Sequence, residues 1–423
     1  MGTGVKFQAT SEADFFGPCA DTAFVYGAAD GKRIPACVCP MPATIYFDYN
    51  ATTPLDPVVR AAMMPCFDEI WGNPSSVHRI GQNARAALDD WRDRAANLLR
   101  AKPSEIIFTS GGTESNNLAI LGTARCRAGQ GKHLITSTIE HHAVLRCFDY
   151  LERRENFVVT RLPVDRTGRV APESLAAALR PDTTLVSIMA ANNEIGTIQP
   201  VAALGEICRQ HGVLFHTDAA QWFGKEPVEN VAQFNADLVS VCAHKFHGPK
   251  GAGLLFIRSP LHPEPILFGG GQEHERRAGT ENLPAIAGLV TAMENFVVRP
   301  VFDRTRLAPL TERLITAGST IAGLQFVGSR QERLANTAAF VMSGTDNIAL
   351  MACLDLEGIC ASSGSACSAG SLTPSHVVAA LGLDQTLANS LIRFSLGRDS
   401  TAAEVETVIA RLPAILQRAT TGQ

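Results

Sequence analysis

From about residue 80 the chain alternates short apolar runs with stretches of helical spacing, and few folds accommodate that order. Ile106–Thr109 and His133–Ser137 read as strands. Leu185–Ala190, Val213–His216, Leu238–Val241 and Gly253–Ile257 are apolar runs of the kind a parallel sheet buries on both faces. Ala84–Leu99, Glu114–Gly122, Ala143–Arg153 and Val201–His211 read as helices. The alternation predicts an α/β fold with a mainly parallel sheet sandwiched by helices. After Pro300 the texture changes. A helix (Leu307–Ile321) leads to strand-like Ala338–Met342, a Ser/Gly-rich stretch, strand-like Ile392–Leu396 and a last helix (Ala402–Gln417), which predicts a smaller α+β domain.

Composition narrows the function. Of 423 residues, 46% are hydrophobic and 18% charged, enough apolar surface for a sizeable core. A formal net charge of −4 argues against a broad nucleic-acid binder. No apolar, uncharged run reaches the ~18–20 residues a membrane helix needs; the uncharged stretch Gly358–Leu383 is long enough but rich in Ser, Thr, Gly and His. Eleven cysteines without zinc-type spacing point to a reducing, cytoplasmic interior. Residues 1–42, with scattered Gly and Pro and no sustained period, read as a poorly ordered N-terminal extension. Met41 stands just before the first strand-like run, Thr44–Phe47, at a place suited to a start codon. An adaptor segment with Cys37 and Cys39 as a metal or redox pair is the alternative. The first twenty residues have neither an apolar core nor the Arg richness of a targeting leader.

Several chemistries are missing from the text: no phosphate loop of the GxxxxGK[ST] kind, no GxGxxG after an early strand, no HExxH, no nucleophile elbow. Three features remain. Ile106–Thr109 runs into Ser110-Gly111-Gly112-Thr113 and a helix, an arrangement that presents free N–H groups to an anion such as phosphate. Asp218 follows Val213–His216 at a strand end, where a carboxylate can keep a ring nitrogen protonated. Lys245 follows Leu238–Val241, and an amine partly desolvated there suits Schiff-base chemistry. Singly these read equally well as a capped glycine turn, a helix N-cap and a snorkelling surface lysine. Together they meet the three demands of pyridoxal phosphate: a phosphate cradle, a partner for the pyridinium nitrogen and an amine for the aldehyde.

On these residues the sequence resembles the cysteine desulfurases, pyridoxal-phosphate enzymes of the class V aminotransferase group with the type I fold. The resemblance covers about residues 44–415. It rests on Tyr46-Phe47-Asp48-Tyr49-Asn50-Ala51-Thr52-Thr53-Pro54, Gly111-Gly112-Thr113-Glu114-Ser115-Asn116-Asn117, Glu140-His141-His142-Ala143-Val144, Asn192-Asn193-Glu194-Ile195-Gly196, His216-Thr217-Asp218-Ala219-Ala220-Gln221, Ala243-His244-Lys245, Arg277-Ala278-Gly279-Thr280-Glu281-Asn282, Ser362-Ser363-Gly364-Ser365-Ala366-Cys367 and Ile392-Arg393-Phe394-Ser395-Leu396-Gly397-Arg398. The Arg277–Asn282 run and the segment around Cys367 look most like the nitrogen-fixation type. The resemblance implies a large cofactor-binding domain over 57–300, and a small domain from 43–56 and 301–423 that carries the catalytic cysteine.

The resemblance also implies the roles. Lys245 holds the cofactor aldehyde and moves the substrate α-proton. Asp218 pairs with the ring nitrogen, Gln221 sits near the phenolic oxygen, and Asn193 bonds another ring substituent. His141 stacks on the ring and shuttles a proton. Gly112, Thr113 and His244 hold the phosphate, with Thr280 reaching in from a second subunit of a homodimer. Arg393 clamps the substrate carboxylate, assisted by Asn50 and Asn193; its guanidinium can grip a carboxylate through two parallel hydrogen bonds. Cys367, set among small polar residues, takes the sulfur of L-cysteine as a persulfide and leaves L-alanine. The sulfur then passes to an acceptor protein, an iron–sulfur scaffold or another relay. One position departs from the family: Cys242 stands where Ser is usual, and a thiol is the weaker donor to a phosphate. A different pyridoxal-phosphate aminotransferase or lyase, and a non-catalytic scaffold on the same fold, are the competing expectations.

Overall fold

The computed structural model describes residues 23–26, 33–36, 44–364 and 374–421. The chain forms two units, Met1–Thr44 and Ile45–Gln423. In the first, Ala23–Tyr26 and Arg33–Ala36 pair as an antiparallel ladder; Cys37, Cys39 and Met41 lie outside the described residues.

The second unit is organised by a seven-stranded sheet. Across it the strands run Ile106–Thr109, Gly253–Ile257, Leu238–Cys242, Leu214–Asp218, Thr183–Ser187, His133–Ser137 and Val158–Leu162. The last five are mutually parallel, while Gly253–Ile257 is antiparallel to both its neighbours. Its grouping with the parallel runs is therefore corrected. The connection from Ala243 to Ala252 is shorter than the roughly dozen-residue crossover that a parallel neighbour requires. Val158–Leu162 is an edge strand that the apolar pattern did not reveal, because only Leu162 in it is buried. The interior strands are buried along their length, save Leu214 at the start of Leu214–Asp218, and so is the edge strand Ile106–Thr109, which is why they read as continuous apolar runs.

Helices cover the sheet. Arg79–Leu99 turns Ala84, Leu88, Trp91, Ala95 and Leu99 inward, three or four residues apart, and ends on Arg100 in the left-handed conformation (φ 52°). The helix after Gly111 is longer than its sequence pattern predicts: α-helical over Gly112–Asn117, widened to a π-turn over Leu118–Gly122, then α-helical over Thr123–Arg127.

A second, three-stranded antiparallel sheet places Thr337–Met342 between Leu324–Val327 and Ile392–Ser395. Phe340 and Phe394 form its core with Leu314 of the helix Arg304–Gly318 and Leu412 of the helix Ala402–Thr421. Ile45, Phe47 and Tyr49 join the same core, where Ile45–Tyr46 pairs in parallel with Ile359–Cys360. Residues 45–56 are thereby held to elements from the far end of the chain.

Candidate active site

The co-directional strands of the large sheet all end on one edge, the edge at which α/β folds bind ligands. Thr109 leads there to Gly112, Ser137 to His141 and Ser187 to Asn193. Asp218 is itself the last residue of its strand, and Cys242 leads to the 3-10 turn Ala243–Lys245. From the opposite side come the turn at Asn50 and, from the three-stranded sheet, Arg393. These residues line one cavity of about 500 Å³.

Each element fixes its own part. Gly111 has φ +147°, a conformation closed to side chains though no atom would crowd a Cβ there, so backbone geometry demands glycine. A Cβ on Gly112 would lie 3.3 Å from Cys242 Cβ, which keeps the cradle narrow. The Asp218 carboxylate accepts from Asn116 Nδ2 at 2.7 Å and from Ala220 N at 2.9 Å, which leaves its orientation little freedom. Lys245 Nζ donates to the carbonyls of Asn50 (2.8 Å) and Ala51 (2.7 Å). The same Asn50 carbonyl accepts from Gln221 Nε2 at 3.0 Å. The loop after Asn50 is laced to the lysine turn: Thr53 Oγ1 donates to the His244 carbonyl at 3.0 Å and accepts from His247 N at 2.7 Å.

The histidines differ in their partners. His141 caps the helix His142–Arg154, its Nδ1 accepting from Ala143 N at 3.1 Å, so a neutral ring carries its proton on Nε2. His244 contacts Thr52 Oγ1 through Nδ1 at 3.1 Å; burial, with Lys245 and Lys250 nearby, lowers its pKa to about 4. His216, wholly buried between Ser187 Oγ (2.8 Å) and Ser240 Oγ (2.9 Å), is held to about 3 by burial. It is a neutral cross-strand tie. Burial pushes the Cys242 thiol up despite N–H donation from Gly112 and His244.

Arg393 is almost fully buried. Nη1 donates to the carbonyls of Asn193 (2.9 Å) and Gly364 (2.8 Å), and Nη2 to Asp48 Oδ1 at 2.6 Å. Nε, also buried, has no partner among the described residues. An arginine so placed has an internal counter-ion and, of its five N–H groups, two without a partner among the described residues, one on Nη2 and one on Nε. Asn50 Nδ2 donates to the Asn193 carbonyl at 3.2 Å and to Thr337 Oγ1 at 2.9 Å.

Of the residues singled out in the sequence, Asn50, Gly112, Thr113, His141, Asn193, Asp218, Gln221, Cys242, His244, Lys245 and Arg393 meet at this cavity. Thr280 does not. It is exposed and lines a neighbouring cavity of about 260 Å³ that shares only Ser110 and Gly251 with the first. Its loop is set by a left-handed turn, Glu273–Glu275 (φ 49°, 57° and 64°), which the buried Arg92 grips through both Glu273 oxygens at 2.7 and 2.6 Å. Arg277 of that loop donates to Glu114 at 2.8 Å. Cys367 lies outside the described residues.

Two more residues shape the site, Asn116, which the sequence showed only within a motif, and Lys225. Asn116 lies one helical turn beyond Gly112, a spacing that places both on one face and could have revealed it. Lys225 is 3% exposed, with Nζ 2.6 Å from Asn50 Oδ1 and hydrogen-bonded to Gln221 Oε1. Nothing in its spacing sets it apart from a surface lysine.

The donor set fits pyridoxal phosphate. A helix N-terminus behind a glycine pair suits the phosphate, Asp218 the ring nitrogen and Lys245 the aldehyde. The buried Asn116 Oδ1 has no partner among the described residues. Comparison with known proteins agrees. The family model for class V aminotransferases matches residues 45–408. Cysteine desulfurase IscS of Dictyoglomus turgidum is 45% identical over 89% of this chain and 96% of its own. That of Methanosarcina thermophila is 45% identical over 88% and 92%. Among solved structures, a NifS-like protein superposes with a TM-score of 0.82 at 36% identity, covering 88% of this chain and 99% of that one. A NifS-like protein from Rickettsia africae gives 0.78 at 31%, over 88% and 99%. The chain belongs to the class V aminotransferase family, whose members depend on pyridoxal phosphate, and within it to the cysteine desulfurases.

Proposed function

We propose that the protein takes sulfur from L-cysteine, releases L-alanine and carries the sulfur as a persulfide on Cys367. The observation that carries this reading is the meeting of Lys245, Asp218 and Arg393 at one cavity. When bound, pyridoxal phosphate supplies an electron sink that stabilises negative charge at the amino acid's Cα. The chain supplies the rest. Lys245, whose Nζ rests on the carbonyls of Asn50 and Ala51, would hold the cofactor's aldehyde and, when free, would move the substrate α-proton at Nζ. Asp218, clamped by Asn116, keeps the ring nitrogen protonated. Arg393 transfers donors from Asp48 to the substrate carboxylate, and Nε is available as well. The Cys367 thiolate attacks the substrate sulfur: an S–S bond forms, the Cβ–S bond breaks, and its electron pair stays on Cβ, which takes up a proton to become the methyl group of alanine.

Further parts of the reading concern the assembly. Thr280, exposed and outside its own chain's cavity, supports a homodimer in which it completes the partner's phosphate seat. The acceptor of the sulfur is a carrier protein, either a scaffold for iron–sulfur clusters or a thiolation relay. Among the described residues no helix is long and apolar enough to cross a membrane, and the thiol-rich composition favours a cytoplasmic site of action. Residues 57–300 act as the cofactor domain, and 43–56 with 301–423 as the small domain. Mass spectrometry of peptides after incubation with cysteine tests the central claim. One added sulfur atom on the Cys367 peptide is expected. Sulfide and alanine formed at undiminished rate by Cys367→Ala would refute the persulfide route and favour another class V lyase.

A further inference from the structure

Among the described residues, Lys225 is a buried amine beside the site that the reaction above leaves without a task. It follows Gln221 by four residues and lies beneath the cavity rather than in its lining. Nζ reaches two side-chain oxygens, Asn50 Oδ1 at 2.6 Å and Gln221 Oε1, and stands 5.2 Å from the centroid of the Phe302 ring. An amide side chain offers oxygen on one side and NH2 on the other, with nearly the same shape. Its partners decide which side faces where. Backbone carbonyls only accept, and Gln221 Nε2 points at one (Asn50, 3.0 Å), as does Asn50 Nδ2 (Asn193, 3.2 Å). Both amides therefore turn their oxygens towards Lys225 and their NH2 groups away from it.

We infer that Lys225 is a positioning residue: by holding the oxygens of Gln221 and Asn50, it obliges Gln221 to present a donor to the phenolic oxygen of pyridoxal phosphate. The inference rests on the cofactor's seat described above. A phenolate oxygen only accepts, so a flipped Gln221 would set oxygen against oxygen. Burial, with Lys245 and Arg393 close by, lowers the Lys225 amine well below the usual lysine range, while Asp48 opposes the shift. The geometry needs two N–H groups, and the amine has them in either protonation state.

The test uses the full-length holoenzyme and reads the visible absorbance of the bound cofactor and its dissociation constant, without turnover. Gln221→Ala is expected to change the absorbance band, which establishes the Gln221 contact independently of Lys225. Lys225→Met, similar in length but without donors, is expected to change the band in the same direction and to weaken cofactor binding about tenfold, the scale of one buried hydrogen bond. Lys225→Gln retains a donor and is expected to recover most of the loss. In the Gln221→Ala background, Lys225→Met should add less than about twofold, because coupled residues do not add. An unchanged band in Lys225→Met, or an undiminished loss in the Gln221→Ala background, overturns the inference and leaves the cofactor assignment standing. An unchanged band in Gln221→Ala removes the contact on which the inference depends. Should Lys225→Met fail to fold, Gln221→Glu decides: it keeps oxygen towards Lys225 but turns oxygen instead of NH2 to the phenolic oxygen, so it should displace the band at least as far as Gln221→Ala, and a band like that of the unsubstituted protein overturns the proposed orientation.

Discussion

Asp218, Lys245 and Gly112 reach the cavity from the ends of strands in a single sheet, each within a few residues of the strand that carries it. Asn50 and Arg393, on the opposite wall, come from near the two ends of the chain and meet through the bridge from Asp48 to Ser395 and the pairing of Ser362 with Arg393. The first wall is rigid at its carboxylate, which Asn116 Nδ2 and Ala220 N hold, while its amine rests on the Asn50 and Ala51 carbonyls of the second. The second holds its charge in an exchangeable ion pair, Arg393 with Asp48 at 2.6 Å. One wall is built to do chemistry at a fixed point and the other to accept a charged guest. Their substitutions should therefore fail in different kinetic constants.

The largest effect should come from the rigid wall. Lys245→Ala is expected to lower kcat by about 10³-fold or more, since it removes both the covalent tether and the proton carrier; borohydride labelling of the peptide should vanish with it. Asp218→Asn should follow, lowering kcat by roughly 10²-fold with KM nearly unchanged and with a displaced absorbance band, because the ring loses its counter-charge. Arg393→Lys tests the other wall. It is expected to raise the KM for cysteine by about 10–100-fold, the worth of a lost charged, paired hydrogen bond, with a lesser effect on kcat. Equal loss in kcat for Arg393→Lys and Asp218→Asn would erase the contrast between the walls.

Acid should weaken the sheet side first. His216, His244 and His247 have folded pKa values lowered to about 3, 4 and 4, chiefly by burial, from an ordinary value near 6.5. Between those limits the unfolded chain binds more protons than the folded one, so their contribution is fully present above about pH 6.5 and is lost as pH falls towards 4 and 3. Glu140 works at the other end. Burial raises its pKa to about 8, so its contribution is present below its ordinary value of 4.5 and is lost as pH rises through about 8. Urea unfolding across this range should show stability falling on both flanks, and His216→Asn should flatten the acid flank. The smallest effect expected is that of Cys242→Ser: a hydroxyl donates better than a thiol, so cofactor affinity should rise by about two- to fivefold in an equilibrium titration.

The same contrast sets what could be read in advance. The interior strands announced themselves because burial on both faces leaves no polar alternation, and residues such as Asp218 and Lys245 could be assigned to strand ends by position alone. Gly253–Ile257 showed its presence but not its direction, since an apolar run carries no sign of which way it lies. Val158–Leu162 stayed hidden because its exposed positions are filled as a surface is. Arg393 drew attention through the family resemblance. Its partnership with Asp48 was legible nowhere, for an ion pair across most of the chain has no local pattern. Lys225 was missed for the same reason: burial of an amine is a property of what packs over it.

By itself the sequence determined the α/β alternation, the glycine turn, and the carboxylate and amine at strand ends, because these depend on local periodicity and on side-chain chemistry within a few residues. Tertiary structure alone decided that Arg393 would pair with Asp48 and that Lys225 would lie beneath Gln221. Such relations are distances between elements remote in the chain, and they arise only when the cores have packed.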